Sequence, residues 1–194
     1  MASAHAPSRL ELRERRRTIP PQARMAAAEA VADRLTSLAP DADHHVAGYW
    51  AMDGELPLHV WQLKLRPGTV YCLPVLDEKS MTLKFAPWHS GDPLVTNRFG
   101  IPEPDLAPSS LLDVRQMSLV AMPLTGFDAR CHRIGMGGGW YDRTLSFRQY
   151  NPAPPLAVGI GFDVQEVPAI QPQPWDIPCD VVVTETRTLL RSST

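Results

Sequence analysis

An α/β fold, a single three-layer α/β/α sandwich around a largely parallel mixed sheet, is what this sequence predicts, on three observations. Apolar strand-like runs alternate with helix-like segments, the order that βαβ crossovers produce. At 194 residues, with 44% hydrophobic and 21% charged residues, the chain suits one domain with one substantial core. A short apolar run then delivers the chain to a glycine-rich loop, and ligands of parallel sheets collect at such carboxyl ends of strands.

The elements follow in order. Residues 1–8 read as a frayed start and residues 9–190 as a single domain. A strongly basic helix spans 9–17 and is stopped by Pro20 and Pro21. Proline is tolerated in the first turn of a helix, so a second helix begins there and runs to about Leu38. Its buried stripe is Met25, Ala28, Val31, Ala32 and Leu35, at three- and four-residue spacing. A strand over 45–50, a helix over 56–65 and a strand over 69–75 come next, and 81–88 alternates as a hairpin partner would. Residues 97–108 hold three prolines and read as a connecting loop placed to cover a pocket. An apolar strand over 117–122 leads into the glycines, and a helix over 140–150 follows, ended by Asn151 and Pro152. Strands over 156–162 and 180–184 close the chain, separated by a proline-rich turn over 168–178.

Composition removes several function classes. A formal charge of −2 gives no general attraction to nucleic acid or to anionic membrane, so any anion site is local. No apolar run approaches the roughly 20 residues of a membrane span, and the first residues lack the apolar core of a signal peptide. A cytoplasmic protein is expected. Cys72, Cys131 and Cys179 are odd in number and have neither CxxC nor zinc-ligand spacing, which predicts reduced thiols, with Cys72 and Cys179 buried in strands.

The most informative segment is Arg133-Ile134-Gly135-Met136-Gly137-Gly138-Gly139-Trp140-Tyr141-Asp142-Arg143. Glycine permits positive φ and close approach of a ligand to the main chain, and the N–H groups of a helix start favour anions. A Walker loop would need Gly-Lys-Ser/Thr at its end, and a dinucleotide fingerprint would need glycine where Trp140 stands. Glycine richness alone leaves a polyphosphate cradle and a structural turn equally open.

Three further constellations could carry chemistry. Arg9, Arg13, Arg16 and Arg17 share one side of the first helix, relieved in part by Glu11 and Glu14; a solvated, salt-bridged face and an RNA-contacting arm both account for them. In Gly48-Tyr49-Trp50-Ala51-Met52-Asp53-Gly54-Glu55 a strand end meets an acidic turn, and Asp53 or Glu55 could simply cap the next helix. Asp142, in the first turn after the glycines, complements a helix dipole whatever else it does. His44 and His45 are adjacent, point opposite ways on a strand and make no metal pair. His132 reads as an exposed loop histidine or a phosphate contact.

With its flanks, Met122-Pro123-Leu124-Thr125-Gly126-Phe127-Asp128 before and Thr144-Leu145 after, the glycine segment resembles the 5-formyltetrahydrofolate cyclo-ligase family, also called 5,10-methenyltetrahydrofolate synthetases. There a strand ending in proline leads through Phe-Asp to Arg-Leu-Gly-x-Gly-x-Gly-Tyr-Tyr-Asp-Arg. This chain differs at Ile134, at Trp140 and at Cys131, where many members carry glycine. Some members also have basic side chains at the positions of Met136 and Gly138. The match is strong from Pro123 to Leu145 and modest elsewhere.

The resemblance implies the same three-layer fold and an ATP- and Mg²⁺-dependent conversion of 5-formyltetrahydrofolate to 5,10-methenyltetrahydrofolate, with ADP and phosphate released through a phosphorylated formyl intermediate. It implies ATP contacts from Arg9 and Arg13, which match the family's Lys-x-x-Leu-Arg start, and from Arg133, Ile134, Gly135, Met136, Gly137, Gly138, Gly139, Trp140 and Tyr141. Folate contacts carry over to Trp50, Glu55, Met136, Gly137, Gly138, Gly139 and Trp140, with Arg133 as the catalytic cation. Magnesium falls to Asp142 and Asp176, with Asp180 the weaker substitute. The expected partners are 5-formyltetrahydrofolate and ATP, with no membrane, no nucleic acid and a monomeric state. A non-catalytic nucleotide- or RNA-binding module on the same fold is the rival reading, and a ligase or kinase acting on another pterin-like substrate is a third.

Overall fold

The computed structural model describes residues 7–39, 44–151 and 153–192. The chain begins with helices α1 (Arg9–Arg17) and α2 (Pro21–Leu38), then strand β1 (His44–Ala47), helix α3 (His59–Leu63) and strands β2 (Thr69–Asp77) and β3 (Thr82–Pro87). A ribbon of β4 (Leu94–Thr96) and β5 (Pro102–Pro104) precedes β6 (Met117–Pro123). The small strands β7 (Gly126–Phe127) and β8 (Arg133–Ile134) frame the way to helix α4 (Trp140–Thr144), and β9 (Leu156–Ile160), β10 (Val181–Val183) and β11 (Thr188–Leu190) complete the chain.

Seven strands form one sheet in the order β11-β10-β9-β6-β1-β2-β3. The inner pairs β10/β9, β9/β6, β6/β1 and β1/β2 are parallel, and only the outer strands β3 and β11 run antiparallel to their neighbours. The strands are buried on both faces and divide their side chains strictly by alternation. Val46, Leu119, Ala121, Val158, Val181 and Val183 enter the core shared with α2 and α3. Ala47, Val120, Met122, Ala157 and Val182 enter the opposite core, under Leu145, Phe127 and the loops around α4. The expected α/β sandwich is therefore present, with a thinner second layer. Among the described residues no helix is long and apolar enough to cross a membrane.

Several boundaries move for identifiable reasons. Residues 1–6 lie outside the described residues, but Ser8 is ordered: its hydroxyl accepts from Glu11 N while the Glu11 carboxylate accepts from Ser8 N, a capping box that starts α1. In α2 the buried face uses Ala27 with Ala28, Val31, Ala32 and Leu35, and Met25 points to solvent. The helix expected from 56 starts only at His59, because Leu56 precedes Pro57 and is disfavoured in the helical region. The helix expected over 140–150 stops at Thr144 and continues as a 3₁₀ turn over Ser146–Gln149; that tighter winding brings Arg148 to Asp180 at 2.6 Å. Residues 102–104, expected as loop, form β5. Its two prolines are tolerated because, two residues apart, both turn their missing N–H away from β4, while Ile101 and Asp105 make the ribbon's hydrogen bonds.

Candidate active site

Strand order reverses direction between β1 and β6: the chain leaves β1 for β2 and β3 on one side, then returns by way of β4 and β5 to β6 on the other. The crevice outside the carboxyl ends of β1 and β6 is the topological switch point, where ligands of open α/β sheets bind. The residues after β1 and after β6 line it.

After β1 the backbone turns through Asp53 at φ 51° and Gly54 at φ 76°. Asp53 is the hub of the arginine helix. Its carboxylate accepts from Arg13 Nε at 2.6 Å, from Arg16 Nη2 at 3.0 Å and from Arg17. Arg16 is fully buried; its Nε donates to Asp53 O at 2.9 Å, its Nη1 donates to Leu124 O at 3.2 Å, and its Nη2 lies 3.6 Å from Glu55 Oε1. Arg24 donates to Gly54 O and Arg16 O from α2. The arginine face read as solvated and salt-bridged is salt-bridged through Asp53, with Arg17 exposed and Arg13 partly so, but Arg16 is turned inward. Arg9 reaches the other way, its Nε donating to Gly135 O at 3.1 Å, so α1 bridges the β1 turn and the glycine loop.

Burial tends to raise the Asp53 carboxyl, but the hydrogen bonds from Arg13 and Arg17 outweigh it and hold the group below its ordinary value. Glu55 goes the other way. Its burial dominates over the Met52 N–H it accepts at 2.9 Å and over the charge of Arg16, and its carboxyl is raised. Tyr49 and Tyr141 are raised by burial first and by the Glu55 charge second, which places both phenols against the same carboxylate. Tyr49 donates to Leu56 O at 2.6 Å, and the Tyr71 hydroxyl fills the space where a Cβ on Gly48 would stand, 1.9 Å from it. A glycine at 48 is required by that approach.

On the β6 side, β7 and β8 form a two-stranded ribbon that is closed by Asp128. This buried carboxylate accepts from Arg130 N and His132 N at 3.0 Å, from Ile170 N at 2.9 Å and from His132 Nδ1 at 3.1 Å. His132 is therefore half-buried and paired within the ribbon rather than exposed. Cys131 completes the turn at φ 64°, donating from its N to Asp128 O. The left-handed conformation that a glycine would supply is thus kept, by a fully buried cysteine. All three cysteines are buried thiols, with Cys72 in β2 and Cys179 just before β10.

Arg133, at the start of β8, donates from Nη2 to Asp142 Oδ1 at 2.5 Å, and its Nε is buried with no hydrogen-bond partner among the described residues. The loop beyond it is held open by Gly137 at φ 96° and Gly139 at φ 65°. Arg143 donates to Met81 O at 2.6 Å and Gly138 O at 2.9 Å, pinning the loop from outside. With α4 only five residues long, a helix dipole contributes little here.

Aromatic rings form the rim. Trp50 meets Trp88 edge-on at 5.7 Å, and Phe99, at the tip of the β4–β5 ribbon, meets Trp140 edge-on at 6.2 Å. Arg98 and Arg143 lie over the Trp140 ring at 5.7 and 5.2 Å. The segment around β4 and β5 therefore touches the glycine-loop side of the site, as a covering element would.

The metal candidates are separated by their partners. Asp180 is committed, accepting from Arg148 and from Ala157 N. Asp142 takes Arg133 and Ile177 N, both on Oδ1. Asp176, one residue before Ile177, lines with Arg133 a shallow cleft of only about 10 Å³, and accepts from Gln173 N on Oδ2. Among the described residues no cluster of three or more His, Cys, Asp or Glu forms a protein-only metal cage. Magnesium needs none, since it is held by one or two carboxylates with phosphate oxygens and water; Asp142 keeps Oδ2 and Asp176 keeps Oδ1 outside these hydrogen bonds.

Sequence reasoning missed Asp128, Tyr49 and Tyr71 as organisers of the crevice and the inward course of Arg16. Signals existed for two of them: Asp128 lies within the flank of the glycine segment and Tyr49 within the Gly48–Glu55 segment.

Comparison with known proteins gives a consistent answer. The family model of the 5-formyltetrahydrofolate cyclo-ligase family matches residues 2–185. The 5-formyltetrahydrofolate cyclo-ligase of Escherichia coli K12 is 36% identical over 183 residues, covering 91% of this chain and 97% of its own. That of Haemophilus influenzae is 34% identical, covering 72% and 75%. The solution structure of Aquifex aeolicus 5,10-methenyltetrahydrofolate synthetase superposes with a TM-score of 0.77 at 25% identity, covering 96% of this chain and 92% of that one. The Mycoplasma pneumoniae synthetase, 16% identical with a TM-score of 0.70 over 91% and 96%, shares the fold. The glycine loop at the mouth of the switch-point crevice, the matched residues from end to end and the shared sheet agree, and the chain belongs to the 5-formyltetrahydrofolate cyclo-ligase family.

Proposed function

We propose that the protein converts 5-formyltetrahydrofolate and ATP to 5,10-methenyltetrahydrofolate, ADP and phosphate. The observation that carries this reading is the convergence on one crevice of a buried carboxylate, Glu55, and an arginine, Arg133, whose Nε is buried and unpartnered beside an open glycine loop. A formyl amide oxygen is a poor leaving group. Transfer of the γ-phosphoryl group to it gives an iminophosphate, which N10 of the folate attacks to close the ring as phosphate departs. The protein needs no covalent nucleophile; its task is to align formyl oxygen, phosphorus and leaving oxygen and to neutralise developing charge.

In this reading the N–H groups of residues 135–139 and Arg133 receive the phosphates, and Arg9 and Arg13 contact the nucleotide from α1. Glu55 accepts from the N–H edge of the pterin, with Trp50 and Trp140 as flat apolar neighbours. Asp142 and Asp176 would hold magnesium, which supplies charge neutralisation at the phosphate oxygens when bound. The RNA-binding alternative is weakened by Arg16 alone, which is fully buried against Asp53 and cannot reach an external ligand.

The test is near-ultraviolet absorbance of the methenyl product after mixing protein, 5-formyltetrahydrofolate, Mg²⁺ and ATP, and again with each omitted. Growth that needs all four is expected. No growth from folded protein that binds ATP would move the reading to another substrate.

A further inference from the structure

The buried Arg16 touches both sides of the crevice floor. Its Nε and Nη2 hold the main chain and carboxylate of Asp53 after β1, its Nη1 holds Leu124 O after β6, and its Nη2 faces Glu55. The two strand ends belong to opposite halves of the sheet. A guanidinium with its donors in a fixed fork is suited to such a junction, where a lysine would supply one point charge. The left-handed turn at Asp53 is stabilised from both its carbonyl and its side chain by this group, and that turn sets where Glu55 projects.

From this geometry we infer that Arg16 is a positioning residue for the reaction: it fixes the Glu55 carboxylate in the place and orientation in which it receives the folate substrate, and Asp53 sets how much of the Arg16 charge Glu55 experiences. The inference rests on the reading of Glu55 given above. Arg16 does not touch substrate; it acts through Glu55. The charged and titratable groups facing Glu55 are Arg16 and Arg13 from α1, Asp53 from its own turn, Tyr49 from the end of β1 and Tyr141 from α4. Of these, Arg16 favours the carboxylate and Asp53 opposes it, so the two residues displace the Glu55 titration in opposite directions.

Two variants exploit that opposition. Arg16→Gln removes the charge while keeping donors for Asp53 O. Asp53→Asn removes the opposing charge and tolerates φ 51°, since asparagine enters the left-handed region readily. The Glu55 carboxyl is followed by ¹³C NMR titration in the ligand-free protein, assigned with Glu55→Gln, and kinetics are measured on the same samples. Glu55 is expected to titrate at higher pH in Arg16→Gln and at lower pH in Asp53→Asn, with KM for 5-formyltetrahydrofolate raised about tenfold in Arg16→Gln, the size of one lost charge-assisted hydrogen bond, and kcat nearly unchanged. Should Arg16→Gln not fold, the downward displacement in Asp53→Asn decides alone. An unmoved Glu55 titration in the folded variants overturns the inference. A displaced titration in a protein without cyclo-ligase turnover keeps the coupling and rejects the functional reading instead.

Discussion

Arg133 donates to Asp142 Oδ1 at 2.5 Å while its own Nε lies buried without a partner. A guanidinium fixed by a carboxylate, with one donor left unsatisfied, is oriented before any ligand arrives, which is the arrangement electrostatic catalysis favours. Arg133→Ala is expected to lower kcat/KM by about 10²-fold or more. Its melting temperature should fall by only a few degrees, because the partner Asp142 also accepts from Ile177 N. Methenyl absorbance and a thermal melt on one preparation separate the two; near-normal turnover in a folded variant removes Arg133 from the mechanism.

Asp142 and Asp180 should separate cleanly in their effect on magnesium. Asp142→Asn is expected to raise the Mg²⁺ concentration needed for half-maximal activity and, because it removes the counter-ion of the nearly buried Arg133, to destabilise to a similar extent as the Asp180 variant. Asp180→Asn should leave that requirement alone and destabilise by about 3 kcal/mol, because it strips the buried Arg148 of its counter-ion. Magnesium titrations and urea unfolding of both variants check this.

Cys131 sits at φ 64° with no exposure. Cys131→Gly relieves roughly 1–2 kcal/mol of left-handed strain but gives up a buried thiol and loosens the unfolded chain, so its stability should stay within about 1 kcal/mol of the parent. Cys131→Val puts a β-branched residue in the same conformation and should cost about 2 kcal/mol or more. Equal stability of the two would mean that this turn relaxes to negative φ.

Asp128 makes part of the stability pH-dependent. Burial raises its carboxyl, but the Ile170 and His132 hydrogen bonds outweigh it and hold the group below its ordinary 3.8. A depressed folded value means the contribution is complete above the unfolded pKa and is lost as pH falls through the lower folded one. Unfolding free energy should therefore decline below about pH 4, and Asp128→Asn, less stable at neutral pH, should show a flatter decline. Urea titrations from pH 2.5 to 7 read both slopes.

Gly48→Ala places a methyl 1.9 Å from the Tyr71 hydroxyl and should destabilise by about 1–3 kcal/mol. Tyr71→Leu vacates that space, so the double variant should lose less than the two single losses combined. Strict additivity in a urea-unfolding cycle would show that the ring had already moved aside.

What could be read from the sequence was what local patterns encode. The capped and proline-bounded helices α1 and α2, the alternating strands and the glycine loop depend on neighbours a few residues apart, and they stand close to where the patterns put them. The length of α4 did not follow from its pattern, because a tertiary partner, Asp180, draws residues 146–149 into a tighter turn. The arginine face was legible as a face but not in its direction. Its counter-ion, Asp53, lies in the turn after β1, and only the fold brings it beneath α1. Residues 102–104 hid a strand because proline counts argue against one unless the edge it faces is known.

The order of the sheet also governs how the molecule comes into being. Strands β1, β2 and β3 can assemble as soon as residue 87 is made, leaving β1 an uncovered border; β6, β9, β10 and β11 then add one after another outward from it. The crevice is the seam between the early and the late half, and Arg16, among the first residues synthesised, meets Leu124 only when the second half arrives. The crevice therefore has both its walls only where β6 has docked beside β1 and that contact is made.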